Sequence, residues 1–191
     1  MDNREKLYSG LSKAAWGYFL LNFDINLGTV SILPRFAGFF MLCSALGYLA
    51  EEQRDLTLLC PLGRLLAVWN LADWLLSWFG THLTGKLLFL DLLITAAGLY
   101  FHFQFLTDMA ALAEKLQKPD SGLDCRLRQR RTLYLVLTTL ITIVSYLPLP
   151  AADVKSWLIL SLGLIACVVS LMVMFALFGL RRCVNAADDP P

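Results

Sequence analysis

Apolar residues in this chain come in long runs, not in short amphipathic periods. Leu87 to Leu112 and Trp157 to Leu180 are each long enough to cross a hydrocarbon core of about 30 Å, and the second run carries no charged residue. The pattern predicts six hydrophobic helices. The first runs from Lys6 to Phe23. The second opens near Pro34, whose missing N–H costs nothing at a first helical position, and ends before Glu51 and Glu52. The third runs from near Pro61 to near Gly80, the fourth from Leu87 to about Ala113, the fifth from Thr132 to Leu147 and the sixth from Trp157 to Leu180. Pro148 and Pro150 stop the fifth. Runs of this length without alternation do not suit the strands of a closed barrel. The fold class expected is therefore all-α, a polytopic transmembrane bundle of about six helices. An alternative has five spanning helices plus an interfacial N-terminal helix, because the first segment contains Lys13 and ends among Asn22, Asp24 and Asn26.

Connections are short except for 114–131, which is polar and carries Pro119, Asp120, Ser121 and Gly122. The expected organisation is one transmembrane domain over 1–191, with 114–131 as a basic loop and 183–191 as a disordered tail. The loop leaves three helices on each side, so a duplication would be inverted, as in many transporters. The two halves share no matching motif.

Lysine and arginine set the orientation. One side of the six-helix arrangement carries Arg4, Lys6, Lys13, Arg54, Arg64, Lys115, Lys118, Arg126, Arg128, Arg130, Arg131, Arg181 and Arg182, whereas the other carries Arg35, Lys86 and Lys155. Cytoplasmic loops hold the excess of basic residues, so both termini and the basic loop are expected to be cytoplasmic and the protein a multi-pass one of the plasma membrane. Met1 to Lys13 lacks an apolar stretch followed by a small-residue cleavage site, so the first helix is expected to insert and stay.

Composition agrees with a lipid environment. The chain is 58% hydrophobic and 16% charged, against about 25% charged in soluble domains. A net charge of +1 gives no reason to expect a nucleic-acid partner. The five cysteines match no zinc or redox spacing and read as small packing residues. The partners expected are the bilayer itself and, at Arg126, Arg128, Arg130 and Arg131, anionic lipid or a protein; the plainer alternative for these arginines is a stop-transfer anchor.

The stretch Asp24-Ile25-Asn26-Leu27-Gly28, followed by Ile32-Leu33-Pro34-Arg35-Phe36-Ala37-Gly38-Phe39, resembles an N-terminal signature of small uncharacterised membrane proteins of Gram-positive bacteria. In that family a helix ends in a short polar turn and an Ile/Leu-Leu-Pro step opens the next helix near a glycine. An acidic residue often stands where this chain has Arg35. The resemblance covers about forty residues. It implies a bacterial plasma-membrane protein and brings no known activity.

Polar residues at membrane depth are the candidate chemistry, because a charged side chain near a helix centre costs on the order of 2.5–3.5 kcal/mol on insertion scales. Asn70 and Asp73 lie on the third helix and Asp91, Thr95 and His102 on the fourth. Asp73 and Asp91 are each expected roughly 8 Å below the outer end of their helices. Two carboxylates at one depth can share a proton or bind a cation, and Arg35 and Asp24 lie near them. The alternative is structural pairing of Asp73 or Asp91 with Arg35, Lys86 or a hydroxyl. Asp91, Thr95, Gly98 and His102 recur at helical spacing and form one stripe facing the bundle. His102 suits either a proton relay or a hydrogen-bonded packing position. Gln104 and Asp108 occupy another face, with Asp108 toward the headgroups. Thr138, Thr142 and Ser145 are expected to bond to carbonyls one turn back or across helices, and Gly163/Cys167 and Ala166/Ser170 to mark close packing of the sixth helix.

No zinc-protease helix, nucleophile elbow, phosphate-binding loop or cofactor box is present. No metal, cofactor or catalytic residue is therefore expected. Two functions fit the sequence: an accessory or sensory membrane subunit, or a small permease or ion- or proton-conducting subunit that uses intramembrane aspartates.

Overall fold

A computed structural model describes residues 3–23, 26–27, 30–31, 34–53, 56–81, 83, 88–117, 121–148 and 152–185. Among them are six helices: α1 (Asn3–Asn22), α2 (Arg35–Leu49), α3 (Leu56–Ser77), α4 (Leu88–Leu116), α5 (Leu123–Tyr146) and α6 (Ala152–Asn185). Between α1 and α2 the strands β1 (Asn26–Leu27) and β2 (Val30–Ser31) pair antiparallel, Asn26 opposite Ser31. The fold is thus all-α, as the hydrophobic pattern predicts. Three of the helices, α3, α4 and α6, are long and apolar enough to cross a membrane. The apolar α2 has 15 residues, and α1 and α5 carry several charges each.

Four helices begin earlier than the apolar runs that announce them, α1 by three residues, at Asn3. α5 starts at Leu123, nine residues before Thr132, so most of the expected basic loop is helix. The chain turns within 117–122, where Gly122 takes a left-handed φ of 58°. Gln117 then caps α5: its Oε1 accepts from the backbone N–H groups of Leu123 (2.8 Å) and Asp124 (3.3 Å), and its Nε2 donates to Asp124 Oδ1 (2.8 Å). α6 likewise runs past both ends of its apolar run, to Ala152 and Asn185, so Cys183 is helical and not in a tail. α3 starts at Leu56, which leaves Pro61 inside the helix. The rest of the expected tail, 186–191, lies outside the described residues.

The helices form a ring in chain order. Each packs against the next, and α1 packs against α6 to close it. Polar contacts identify one end. Lys6 pairs with Glu51 at 2.8 Å, Lys115 donates to Gln53 Oε1 at 2.9 Å, and Arg181 donates to Ser12 Oγ at 3.2 Å. These bring together the start of α1, the α2–α3 turn, the end of α4 and the end of α6. Arg35, Asn22 and Ser77 mark the opposite end.

α1, which carries several charges, is nonetheless packed closely into the ring. On α1, Leu7, Leu11, Ala14, Ala15, Tyr18 and Leu21 make a buried stripe. Its backbone crosses α2 where Gly17 meets Gly38: a Cβ at Gly38 would stand 2.9 Å from the Gly17 carbonyl oxygen. Small residues let helices approach without a hydrophobic force between them. Lys13, the residue that made a spanning α1 doubtful, bonds Ser44 Oγ at 3.2 Å and lies 4.1 Å over the Tyr48 ring. α1 therefore sits in the ring between α2 and α6. The small-residue pattern of α6 plays no such part in full. Gly163 has no neighbour within 4 Å of a Cβ, and Cys167 is exposed, whereas Ser170 is buried and bonded to Asn22.

Candidate functional site

The ring encloses a cavity of about 260 Å³, lined by Leu21, Asn22, Arg35, Phe39, Leu66, Asn70, Ile94, Gly98, His102 and Tyr134. Five helices contribute. Arg35, the exposed first residue of α2, stands at the mouth. His102 lies fourteen residues along α4 from Leu88, about 21 Å at 1.5 Å per residue, so the cavity reaches the middle of the bundle.

Below it the bundle is closed. Tyr18, Phe101, Phe105, Leu42, Leu46, Leu106 and Met109 are all 0% exposed. The Phe101 and Phe105 rings are stacked at 6.2 Å, Tyr18 stacks on Phe105 at 6.2 Å, and Phe39 meets Phe101 edge-on at 5.5 Å. His102 sits where cavity and aromatic layer meet, 5.7 Å from the Tyr18 ring and 5.1 Å from that of Tyr134. Its Nδ1 is buried without a hydrogen-bond partner among the described residues.

Asn22 organises the polar wall. Its Nδ2 donates to the Tyr18 carbonyl at 2.9 Å, and its Oδ1 accepts from the Tyr134 hydroxyl at 3.0 Å and from Ser170 Oγ at 3.2 Å. Across the cavity, Asn70 Nδ2 donates to the Leu66 carbonyl at 2.7 Å. Gly98 presents no side chain, and a Cβ there would have no heavy atom within 4 Å.

The structure divides the residues singled out in the sequence. Arg35, Asn70 and His102 come together around the cavity. Asp73 and Asp91 are not among its lining. Asp73 is half-buried and accepts from the Leu83 backbone N–H at 2.7 Å, in the α3–α4 connection. Asp91 is buried in the first turn of α4, where the helix N-terminus favours a carboxylate. Thr95 is half-buried outside the lining, and Asp24 lies outside the described residues. Asp108, expected toward the headgroups, is instead 3% exposed and accepts from Gln104 at 3.0 Å. Asn22 and Tyr134 were missed in the sequence, one read as a helix end and the other hidden among hydroxyl residues.

At the other end, the arginine cluster is largely engaged by the bundle. Arg128 pairs with Glu114 at 2.6 Å. Arg130 donates to the Met172 carbonyl. Arg131 donates to Thr107 Oγ1 at 2.6 Å and lies 4.5 Å over the Phe103 ring. Arg126 is exposed. Thr138, Thr142 and Ser145 each donate to the carbonyl one turn back, at 2.8, 2.9 and 2.7 Å. Among the described residues no group of three His, Cys, Asp or Glu is placed to hold a metal ion.

Comparison of the chain with protein-family models, with curated proteins and with solved structures finds no match.

Proposed function

We propose that the chain is a multi-pass protein of a bacterial plasma membrane, with both termini and the basic end cytoplasmic, and that it serves as an accessory or sensory subunit that takes a small ligand into its cavity from outside. The membrane assignment draws on the three long apolar helices. The orientation draws on the imbalance of lysine and arginine between the two ends of the ring. Bacterial origin draws on the resemblance of residues 24–39.

One observation carries the functional reading. The cavity opens at the Arg35 end and stops against side chains with no exposure, Tyr18, Phe101 and Phe105. A one-sided pocket suits binding and signalling. A conducting path needs polar groups continuing toward the other end, and the floor here is aromatic. At the cytoplasmic end the exposed Arg126 and Arg182 offer cations to anionic lipid or to a partner subunit.

Proteoliposomes loaded with a pH-sensitive dye test this against the permease reading. The purified protein should leak protons no faster than empty liposomes across a pH gradient. Flux that is present in the wild type and lost in Asp73→Asn or Asp91→Asn would replace the accessory reading with an aspartate-based conductor.

A further inference from the structure

Two of the five cysteines meet across a helix crossing. Cys43 of α2 and Cys60 of α3 are 17 residues apart in sequence, and both are half-buried free thiols. Each sulfur reaches the other residue's backbone. Cys43 Sγ lies 3.9 Å from the Cys60 carbonyl oxygen, and Cys60 Sγ lies 3.9 Å from that of Cys43. Because the contacts are reciprocal, both side chains occupy one gap between the helices. Gly63, on the next turn of α3, keeps that gap narrow: a Cβ there would stand 2.7 Å from Cys43 Sγ. The Cys43 sulfur is thus seated against the α3 backbone between Cys60 and Gly63. Rotation about χ1, from one staggered well to another, turns each sulfur from the facing carbonyl toward the facing thiol. A disulfide asks for closely spaced backbones with the two Cβ atoms directed at each other, and a tight reciprocal crossing favours that arrangement.

The position of the pair gives a bond there a consequence. Phe39 lies one turn before Cys43 on α2, and Leu66 lies one turn beyond Gly63 on α3; both line the cavity. A covalent link at the crossing would hold these two parts of the wall together. Cys60 stands four residues from Leu56, the start of α3, at the end of the ring marked by Lys6, Glu51 and Lys115. In the orientation proposed above that end is cytoplasmic. Thiols there are kept reduced, so a disulfide is a transient response and not a permanent staple.

We propose that Cys43 and Cys60 form a redox pair that closes to a disulfide on exposure to a peroxide and so fixes the α2–α3 wall of the cavity. For hydrogen peroxide, one thiolate attacks and breaks the O–O bond, giving a sulfenic acid and hydroxide. The second thiolate attacks that sulfur and expels another hydroxide as the S–S bond forms. The two thiol protons convert both hydroxides to water. The pair loses two electrons, the peroxide gains them, and a dithiol reverses the step by exchange. The pair rests on its own contacts and needs no ligand in the cavity.

The test uses the full chain in nanodiscs, with Cys125→Ser, Cys167→Ser and Cys183→Ser so that only the pair remains. After a few equivalents of hydrogen peroxide, the protein is denatured with N-ethylmaleimide and its intact mass is measured. The monomer should lose about two mass units, take up no maleimide, and accept two maleimides once dithiothreitol has acted. The closed form should melt about 6–12 °C above the reduced one, as a loop of this length implies. Adding Cys43→Ser or Cys60→Ser should abolish both changes. Peptide mapping of the peroxide-treated wild type should show the same link between Cys43 and Cys60, so the result does not depend on the variants folding. Full maleimide uptake by the treated monomer, disulfides found only between chains, or mapping that pairs other cysteines would overturn the proposal. A closed form that melts with the reduced one would overturn the fixed wall.

Discussion

The hydroxyl of Tyr134 donates to Asn22 Oδ1 at 3.0 Å, joining the middle of α5 to the last residue of α1 across 112 positions of sequence. Ser170 of α6 reaches the same oxygen at 3.2 Å. One amide thus ties three helices at the wall of the cavity.

Removing the acceptor should cost more than removing one donor. Asn22→Ala leaves the Tyr134 and Ser170 hydroxyls unpaired and should destabilise by about 1–3 kcal/mol, while Tyr134→Phe should cost about 0.5–1.5 kcal/mol. Thermal unfolding in one detergent at fixed concentration ranks the two. Equal losses would mean that Asn22 does not join the helices as described.

Glycine substitutions should separate a helix crossing from a cavity wall. A Cβ at Gly38 would lie 2.9 Å from the Gly17 carbonyl oxygen, and backbone has to move to admit it. Gly38→Ala should therefore destabilise by about 1–3 kcal/mol. Gly98→Ala meets open space and should be neutral or stabilising by up to about 1 kcal/mol through helix propensity. The same unfolding assay reads both, and a Gly98→Ala variant as damaged as Gly38→Ala would remove the space claimed at Gly98.

The start of α5 should respond to acid. Asp124 precedes the apolar part of α5 at Thr132, and the side-chain hydrogen bond from Gln117 does most to hold its carboxyl below the usual 3.8, helped by backbone N–H groups. A carboxyl with a depressed folded pKa contributes stability that is fully present above the ordinary value and is lost as pH falls through the folded one. Gln117→Ala should move the Asp124 carbon-13 carboxyl titration upward toward 3.8. An unchanged midpoint would show that the Gln117 contact has no electrostatic consequence.

The class of fold was readable because lipid imposes a simple rule: a helix must satisfy its own backbone and show an apolar surface for some twenty residues. That rule located α3, α4 and α6 well. It was poor at helix ends, because the backbone continues to hydrogen-bond beyond the apolar stretch of a helix. The arginines read as a loop between Leu123 and Arg131 are two turns of α5 for this reason. Small-residue spacing was informative but ambiguous. It says where a helix can be approached and not which helix approaches: Gly163 on α6 faces nothing, while Gly17 and Gly38 make the tight crossing.

The candidate site was legible in half. Asn70 and His102 stood out because polar groups at that depth need a reason, and Arg35 because of its charge; all three line the cavity. Asp73 and Asp91 stood out on the same ground, yet one accepts from the Leu83 backbone and the other lies in the first turn of α4, neither in the lining. Depth along a helix is set by sequence, whereas the face turned to the lumen depends on the order of helices around the ring. That order arises from the α1–α6 closure, which no local pattern encodes.

The account stands on a cavity that is reached from the side of the membrane opposite the two termini. It is tested most directly by thiol labelling in intact cells, with the native cysteines replaced and single cysteines placed at Asn70 in the cavity and at Arg126 on the basic end. A membrane-impermeant reagent should label Asn70→Cys from outside and should reach Arg126→Cys only after the membrane is opened. Labelling of Arg126→Cys in intact cells, or of Asn70→Cys only after opening, would contradict it.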